Sequence, residues 1–352
     1  MSKHTEIIRA IKQILRERQI RIMEVCGTHT VAVSRAGLRP LLAPEIKLLS
    51  GPGCPVCVTS AQDVAKFLWL AETGKTIVTF GDMMKVPLSN KSLFTLRADG
   101  ADVHIIYSPL DALEIAKQNQ HRDVVFIGVG FETTAPAIAG TIIEAQNRNC
   151  RNFTVITALK TIPIPLRIVS SSPQIAVDGF ILPGHVSAII GSDSYLFIPA
   201  DYNLPGVVAG FEPDDIIDAV FRLSKMIASK KPAIELSYSR VVKPEGNISA
   251  KALIDKVFEP NDAIWRGLGN IPDSGLCMRE EFAEFDAQKR FDIPEFPQVQ
   301  DNPACHCADV ILGIMNPMEC PIFAKICTPS NPQGPCMISS EGACAAYYKY
   351  GQ

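Results

Sequence analysis

Several things are scarce in this sequence, and each scarcity removes a class of function. Charge of one sign is the first: charged residues are 20% of the chain and nearly balance at net −3. No basic tract, and no basic patch interleaved with aromatics, is present to follow a phosphate backbone, so nucleic acid is excluded as an expected partner. Long apolar runs are the second. The best, Val124 to Ile143, is interrupted by Glu132 and Pro136, which falls short of the roughly 20 apolar residues that span a bilayer. The start of the chain has no signal-peptide core, because Ile7, Ile8, Ile11, Ile14 and Leu15 recur at helical spacing among Lys and Arg. The expected location is the cytoplasm, with no membrane partner. Phosphate-binding turns are also missing: Gly128-Val129-Gly130 lacks a third glycine in register, and no P-loop follows any strand-like run, which disfavours a nucleotide-dependent enzyme.

What is abundant is cysteine, eleven in 352 residues. In a reducing compartment clustered cysteines more often bind metal or do redox chemistry than form structural disulfides. Cys54 and Cys57 lie on the Gly/Pro-rich turn Gly51-Pro-Gly-Cys-Pro-Val-Cys57 after the strand-like run Glu45–Leu49. Two residues between thiols suit a redox dithiol or half of a metal site. No second C-x-x-C or paired His follows to complete a zinc site, which favours the dithiol or an iron-binding role. The run Ile20–Val25 leads straight into Cys26-Gly-Thr-His29. In an open parallel sheet sites form outside the carboxyl ends of strands, so Cys26, His29, Cys54 and Cys57 are expected to converge.

The chain is longer than the roughly 50–250 residues of one domain, and its rhythm is parallel β/α construction. Eight strand-like runs are expected: Ile20–Val25, Glu45–Leu49, Thr76–Phe80, Val103–Tyr107, Val124–Val129, Thr154–Leu159, Gly179–Leu182 and Gly206–Ala209. The loops after them carry Gly81-Asp82, Gly130-Phe131-Glu132-Thr133-Thr134, Pro183-Gly184-His185 and Gly210-Phe211-Glu212. The repeated Gly-Phe-Glu suggests two similar α/β lobes, residues 1–120 and 121–231, with a helix Pro213–Ser229 closing the second. Beyond Tyr238 strand signals fade, and residues 232–352 read as a small helical and irregular C-terminal domain. It holds Cys305, Cys307, Cys320, Cys327, Cys336 and Cys344 among prolines, with His306 nearby. A segment with so little apolar periodicity is expected to be organised by something inorganic. On residue types alone zinc and an iron–sulfur cluster are equally good answers.

Among single residues, Glu132 is either a site carboxylate or a cap for the helix starting near Thr134. His185 is either a satisfied structural histidine or a site residue, His29 a base, a supporting donor or a capping neighbour, and Asp82 an ordinary loop opening or a site.

Taken together, Cys26-Gly-Thr-His29, Gly51–Cys57, Gly130-Phe-Glu-Thr-Thr-Ala-Pro136, Pro183-Gly-His-Val-Ser187 and Ser339-Ser-Glu-Gly-Ala-Cys344 resemble the hydrogenase maturation protein HypD family. The resemblance spans nearly the whole chain. It implies a scaffold that, with the small protein HypC, assembles the Fe(CN)2CO unit of [NiFe]-hydrogenases and accepts cyanide from HypE. It implies a [4Fe-4S] cluster on Cys305, Cys320, Cys327 and Cys344, with Cys307 the alternative first ligand and Cys336 an additional thiol. It also implies that Cys26 is a thiolate ligand of the iron being built, that Cys54 and Cys57 serve as dithiol or iron ligands, and that His29, Glu132 and His185 belong to the site. A likeness to ferredoxin–thioredoxin reductases keeps a second function open, an iron–sulfur thiol–disulfide oxidoreductase acting on a protein substrate.

Overall fold

The computed structural model describes residues 3–16, 18–297 and 299–351. All eight expected strands form, as β1 (Ile20–Glu24), β2 (Ile46–Ser50), β3 (Thr76–Thr79), β4 (Val103–Ile105), β5 (Val124–Gly130), β6 (Phe153–Lys160), β7 (Gly179–Pro183) and β8 (Gly206–Ala209). β9 (Ile234–Leu236), β10 (Phe258–Trp265) and β11 (Gly269–Met278) follow. The architecture is α/β with two mostly parallel sheets and a cysteine-bearing C-terminal region of short helices and turns. Among the described residues no helix is long and apolar enough to cross a membrane.

The sheets are not consecutive halves of the chain. One has the order β2-β1-β7-β8-β9 and is parallel throughout; the other has the order β10-β11-β6-β5-β3-β4. The chain therefore starts the first sheet, leaves to build the core of the second, and returns at β7, which corrects the grouping of the first four strands into one lobe and the next four into another. The physical reason is that fully buried parallel strands such as β5 and β7 are apolar on both faces, so their composition carries no record of which neighbour they pair with. A second correction concerns residues 232–352: β9 extends the first sheet, and the β10–β11 hairpin pairs antiparallel with β6 through Gly275 and Leu276. Pro260, Asn261, Gly269 and Pro272 gave this hairpin a loop-like composition, and its register shifts between Asn261 and Ala263.

Local signals account for the helices that frame the site. Pro213–Ser229 forms with the expected bounds, Pro213 in its first turn and a capping box between Glu212 and Asp215. Its apolar face, including Ile216, Ile217 and Val220, joins Ile11 and Leu15 of the N-terminal helix Lys3–Leu15 in the core under the first sheet. Residues 279–291 form short helical pieces, a 3-10 turn, Glu280–Phe285, and one helical turn, Ala287–Arg290, separated by Asp286, whose carboxylate accepts from the Gln288 amide.

Candidate functional site

Loops at the carboxyl ends of β1, β2, β5 and β7 meet in a cleft of about 410 Å3, lined by Cys26, Thr28, Gly53, Pro55, Phe131, Thr133, His185 and Glu341 among others. Both sheets contribute, and so does the C-terminal region. A larger, open groove of about 750 Å3 runs between Lys85–Thr95 and Pro329–Gly334. None of the sequence-predicted site residues lines it, so the smaller cleft is the candidate site.

Cys26 is the residue before the helix Gly27–Arg35 and is only 8% exposed. The Gly51–Cys57 turn is laid directly on it: the Gly27 amide donates to the Gly53 carbonyl at 3.0 Å. A Cβ at Gly53 would stand 2.4 Å from the Cys26 Cα, so only glycine allows this approach. Burial pushes the Cys26 thiol up to about 11 and the Glu341 carboxylate adds to the rise, while hydrogen bonds from Thr28 and His29 oppose it. Such a thiol is protonated until something displaces its proton, as a metal ion does.

Cys54 and Cys57 are joined as a disulfide across a Cα–Cα distance of 5.2 Å, within the expected reach of about 7 Å. Cys54 also caps the helical turn Pro55–Val58, its sulfur accepting from the Cys57 amide at 3.2 Å. That turn packs against Cys307–Ile311 and Pro335–Met337, so the cysteine-rich region folds back on the mouth of the first sheet.

Within that region the sulfurs are neighbours. Cys307 Sγ lies 2.8 Å from Cys336 Sγ. Hydrogen bonds from Cys305 and Cys336 hold the Cys307 thiol well below its ordinary range, with Arg266 adding to the effect, and Cys305 and Cys336 are raised in turn. Cys327 is raised by burial and then by the charges of Cys344, Cys320 and Cys307, and Cys305 feels Cys327 as well. Cys327 is thus close enough to feel Cys305, Cys320 and Cys344, and soft thiolates are the donors an iron–sulfur cluster takes. Among the described residues no three His, Cys, Asp or Glu side chains converge on a single metal ion. His306 is engaged elsewhere, its Nδ1 2.9 Å from Asp309 Oδ2.

The remaining predicted residues divide. His185 opens on the cleft; burial lowers its pKa and Glu341 opposes this. His29 does not reach the cleft: it is fully buried, its Nε2 is 2.8 Å from the Gly210 carbonyl, and burial pulls its pKa down to about 4. Glu132 is buried as well, accepting from the Ile162 amide at 2.9 Å with its other oxygen unpartnered. Ile162 is the residue before the helix Pro163–Ser171, so the carboxylate serves that helix's entry and not the helix beginning near Thr134, and burial raises its pKa to about 7. Asp82 gathers the Ser339 hydroxyl and the Ser340 amide and hydroxyl on one oxygen at 3.0–3.1 Å. Sequence reasoning passed over Thr28 and Glu341, although both lie inside quoted motifs; a lone carboxylate between serines and a glycine was the available signal.

A sequence model of the HypD family, described as the hydrogenase formation hypA family, matches residues 2–351. The chain belongs to the HypD family of hydrogenase maturation factors. It is 43% identical over 344 residues to the hydrogenase maturation factor HypD of Azotobacter vinelandii, covering 96% of this chain and 90% of that protein. Against the Rhodobacter capsulatus factor of the same name the identity is 44%, over 98% of this chain and 94% of the other. The Escherichia coli HypD relative is 44% identical, with coverage of 96% and 90%. The family match runs through the cleft and the cysteine region alike, so no part of the candidate site lies outside it.

Proposed function

We propose that this chain is the scaffold on which, together with a HypC-type small maturation protein, the Fe(CN)2CO unit of [NiFe]-hydrogenases is assembled, with cyanide received from a HypE-type donor. The observation that carries this reading is the meeting of Cys26 with the Cys54–Cys57 turn through Gly53, while that turn rests on the C-terminal cysteines.

In this reading the iron under construction is the substrate. Cys26 supplies a thiolate to it, since low-spin iron carrying cyanide and carbonyl is well served by a soft donor, and the cleft leaves room for a partner's cysteine opposite. The high pKa of Cys26 makes thiolate formation depend on metal arrival, so the free thiol is protected from oxidation. Cys305, Cys320, Cys327 and Cys344 hold a [4Fe-4S] cluster, which when bound supplies electrons one at a time. Cys307 and Cys336, at 2.8 Å, and the Cys54–Cys57 disulfide each exchange two electrons and two protons as they pass between dithiol and disulfide.

The Cys54–Cys57 disulfide also supports a second reading, a thiol–disulfide oxidoreductase acting on a protein substrate. The two differ in whether iron outside the cluster is ever bound. Infrared spectroscopy of the anaerobically purified complex with its partners decides between them: cyanide and carbonyl stretches on iron are expected in the parent protein. They should be absent in Cys26→Ala and Cys26→Ser, with the cluster absorption unchanged. An alkoxide is too hard and too basic a donor for serine to rescue the site. Undiminished stretches in Cys26→Ala would remove Cys26 from the mechanism.

A further inference from the structure

Phe211 is held between two imidazoles. Its ring centroid lies 3.9 Å from that of His185 and 4.7 Å from that of His29, with interplanar angles of 28° and 29°. His185 needs such a partner. It is the second residue of the helix Gly184–Ile190, it is exposed, and among the described residues its ring makes no hydrogen bond. Helical backbone leaves more than one rotamer open to an unbonded imidazole, and one of them is selected by the face of Phe211.

Phe211 can select a rotamer because it is itself fixed. Behind it His29 is buried and bonded to the Gly210 carbonyl at 2.8 Å. Tyr238 meets its ring edge-on at 6.1 Å, and Arg240 covers Tyr238 at 4.4 Å while forking onto Asp215 at 2.9 and 2.6 Å. Asp215 crowds Gly210 so closely that a Cβ there would come within 2.1 Å of its carboxylate, so any larger residue would have to displace the Asp215 side chain. The repeated Gly-Phe-Glu is thus two different devices: Phe131 lines the cleft against Trp265, whereas Phe211 lies under His185.

We infer that Phe211 is a positioning residue, stacked on His29, that presents the His185 imidazole to the wall of the cleft shared with Cys26 and Glu341. The inference rests on the reading of that cleft as the place where iron is assembled. His29 is then the strut of the stack and touches no substrate.

The test uses the full chain, purified anaerobically with its partners, as Phe211→Ala, Phe211→Tyr, His185→Ala and the Phe211/His185→Ala double variant. Histidine-selective NMR reads the stack: two imidazoles shifted upfield by the Phe211 ring current are expected in the parent and in Phe211→Tyr, and should lose that shift in Phe211→Ala. The iron-bound cyanide and carbonyl bands should weaken roughly two- to tenfold in Phe211→Ala, the range that loss of an aromatic pair spans, and recover in Phe211→Tyr. Because Phe211 acts through His185, the double variant should be no weaker than His185→Ala alone. An additive further loss in the double variant, or a His185→Ala protein with parent-level bands, overturns the positioning role. Should the parent show no bands, the reading of the cleft fails, and the NMR still judges the stack: unchanged imidazole shifts in Phe211→Ala overturn it.

Discussion

Thr28 donates its hydroxyl to Glu341 at 2.6 Å, a contact that spans 313 positions of sequence and brings the C-terminal region to within two residues of Cys26. Glu341 is held there by its neighbours, since Ser339 and Ser340 are gathered on Asp82 at the end of β3. First sheet, second sheet and cysteine region are thereby latched around one cleft. The same carboxylate touches the electrostatics of both facing groups, raising the pKa of Cys26 and opposing the depression of His185.

The latch predicts a local opening. Asp82→Ala removes three hydrogen bonds to a carboxylate, each worth about 1.5–3 kcal/mol when buried and less at this partly exposed site. Amide exchange at Ser340 and Glu341 should accelerate about 10- to 100-fold, while the absorption of the proposed cluster stays unchanged. Unchanged protection at Ser340 in hydrogen–deuterium exchange would show that Asp82 does not hold the segment.

Glu132 predicts a pH dependence with a definite sign. Its folded pKa of about 7 lies above the ordinary carboxylate range because it is buried, so the folded state binds the proton more tightly than the unfolded chain. Its contribution is fully favourable below the unfolded pKa, and is lost as pH rises through about 7. Glu132→Gln, which keeps an acceptor for the Ile162 amide, should therefore gain stability relative to the parent between pH 5 and pH 8. The gain should approach about 3 kcal/mol, at 1.36 kcal/mol per pKa unit. Urea unfolding at both pH values measures it, and a pH-independent difference would contradict a buried, protonated Glu132.

The cysteine region predicts two kinds of thiol. Replacing Cys320 or Cys327 with Ala should bleach a brown, four-iron chromophore and loosen a segment that depends on it for order. Replacing Cys307 and Cys336 with Ser should leave the colour intact, because those two sulfurs already face one another at 2.8 Å. Absorption spectra with iron and zinc analysis of anaerobically purified protein give the answer. Stoichiometric zinc without iron would overturn the cluster assignment.

The elements were legible because their signals are local. Apolar runs of four to six residues marked all eight parallel strands, Pro213 and the sequence after it marked the helix to Ser229, and the glycines and prolines of Gly51–Cys57 marked a turn carrying two thiols. The motifs around Cys26, Cys54, His185 and Cys344 carried the family, and the family match bears that out.

Tertiary structure alone decided which strands share a sheet, since β7 returns to β1 after five intervening strands and nothing in its apolar sequence names that partner. It decided that Phe258–Met278 is a hairpin, because pairing with β6 satisfies a backbone whose prolines and glycines suggest a loop. It separated the residues of like motifs: Glu132 turns inward to Ile162 while Glu212 caps its own helix, and Phe211, not His29, stands beside His185. The reason is one of range. Periodicity and turn chemistry depend on residues a few positions away, whereas burial, proton affinity and stacking depend on what the fold brings alongside from hundreds of positions off, as it brings Glu341 to Thr28.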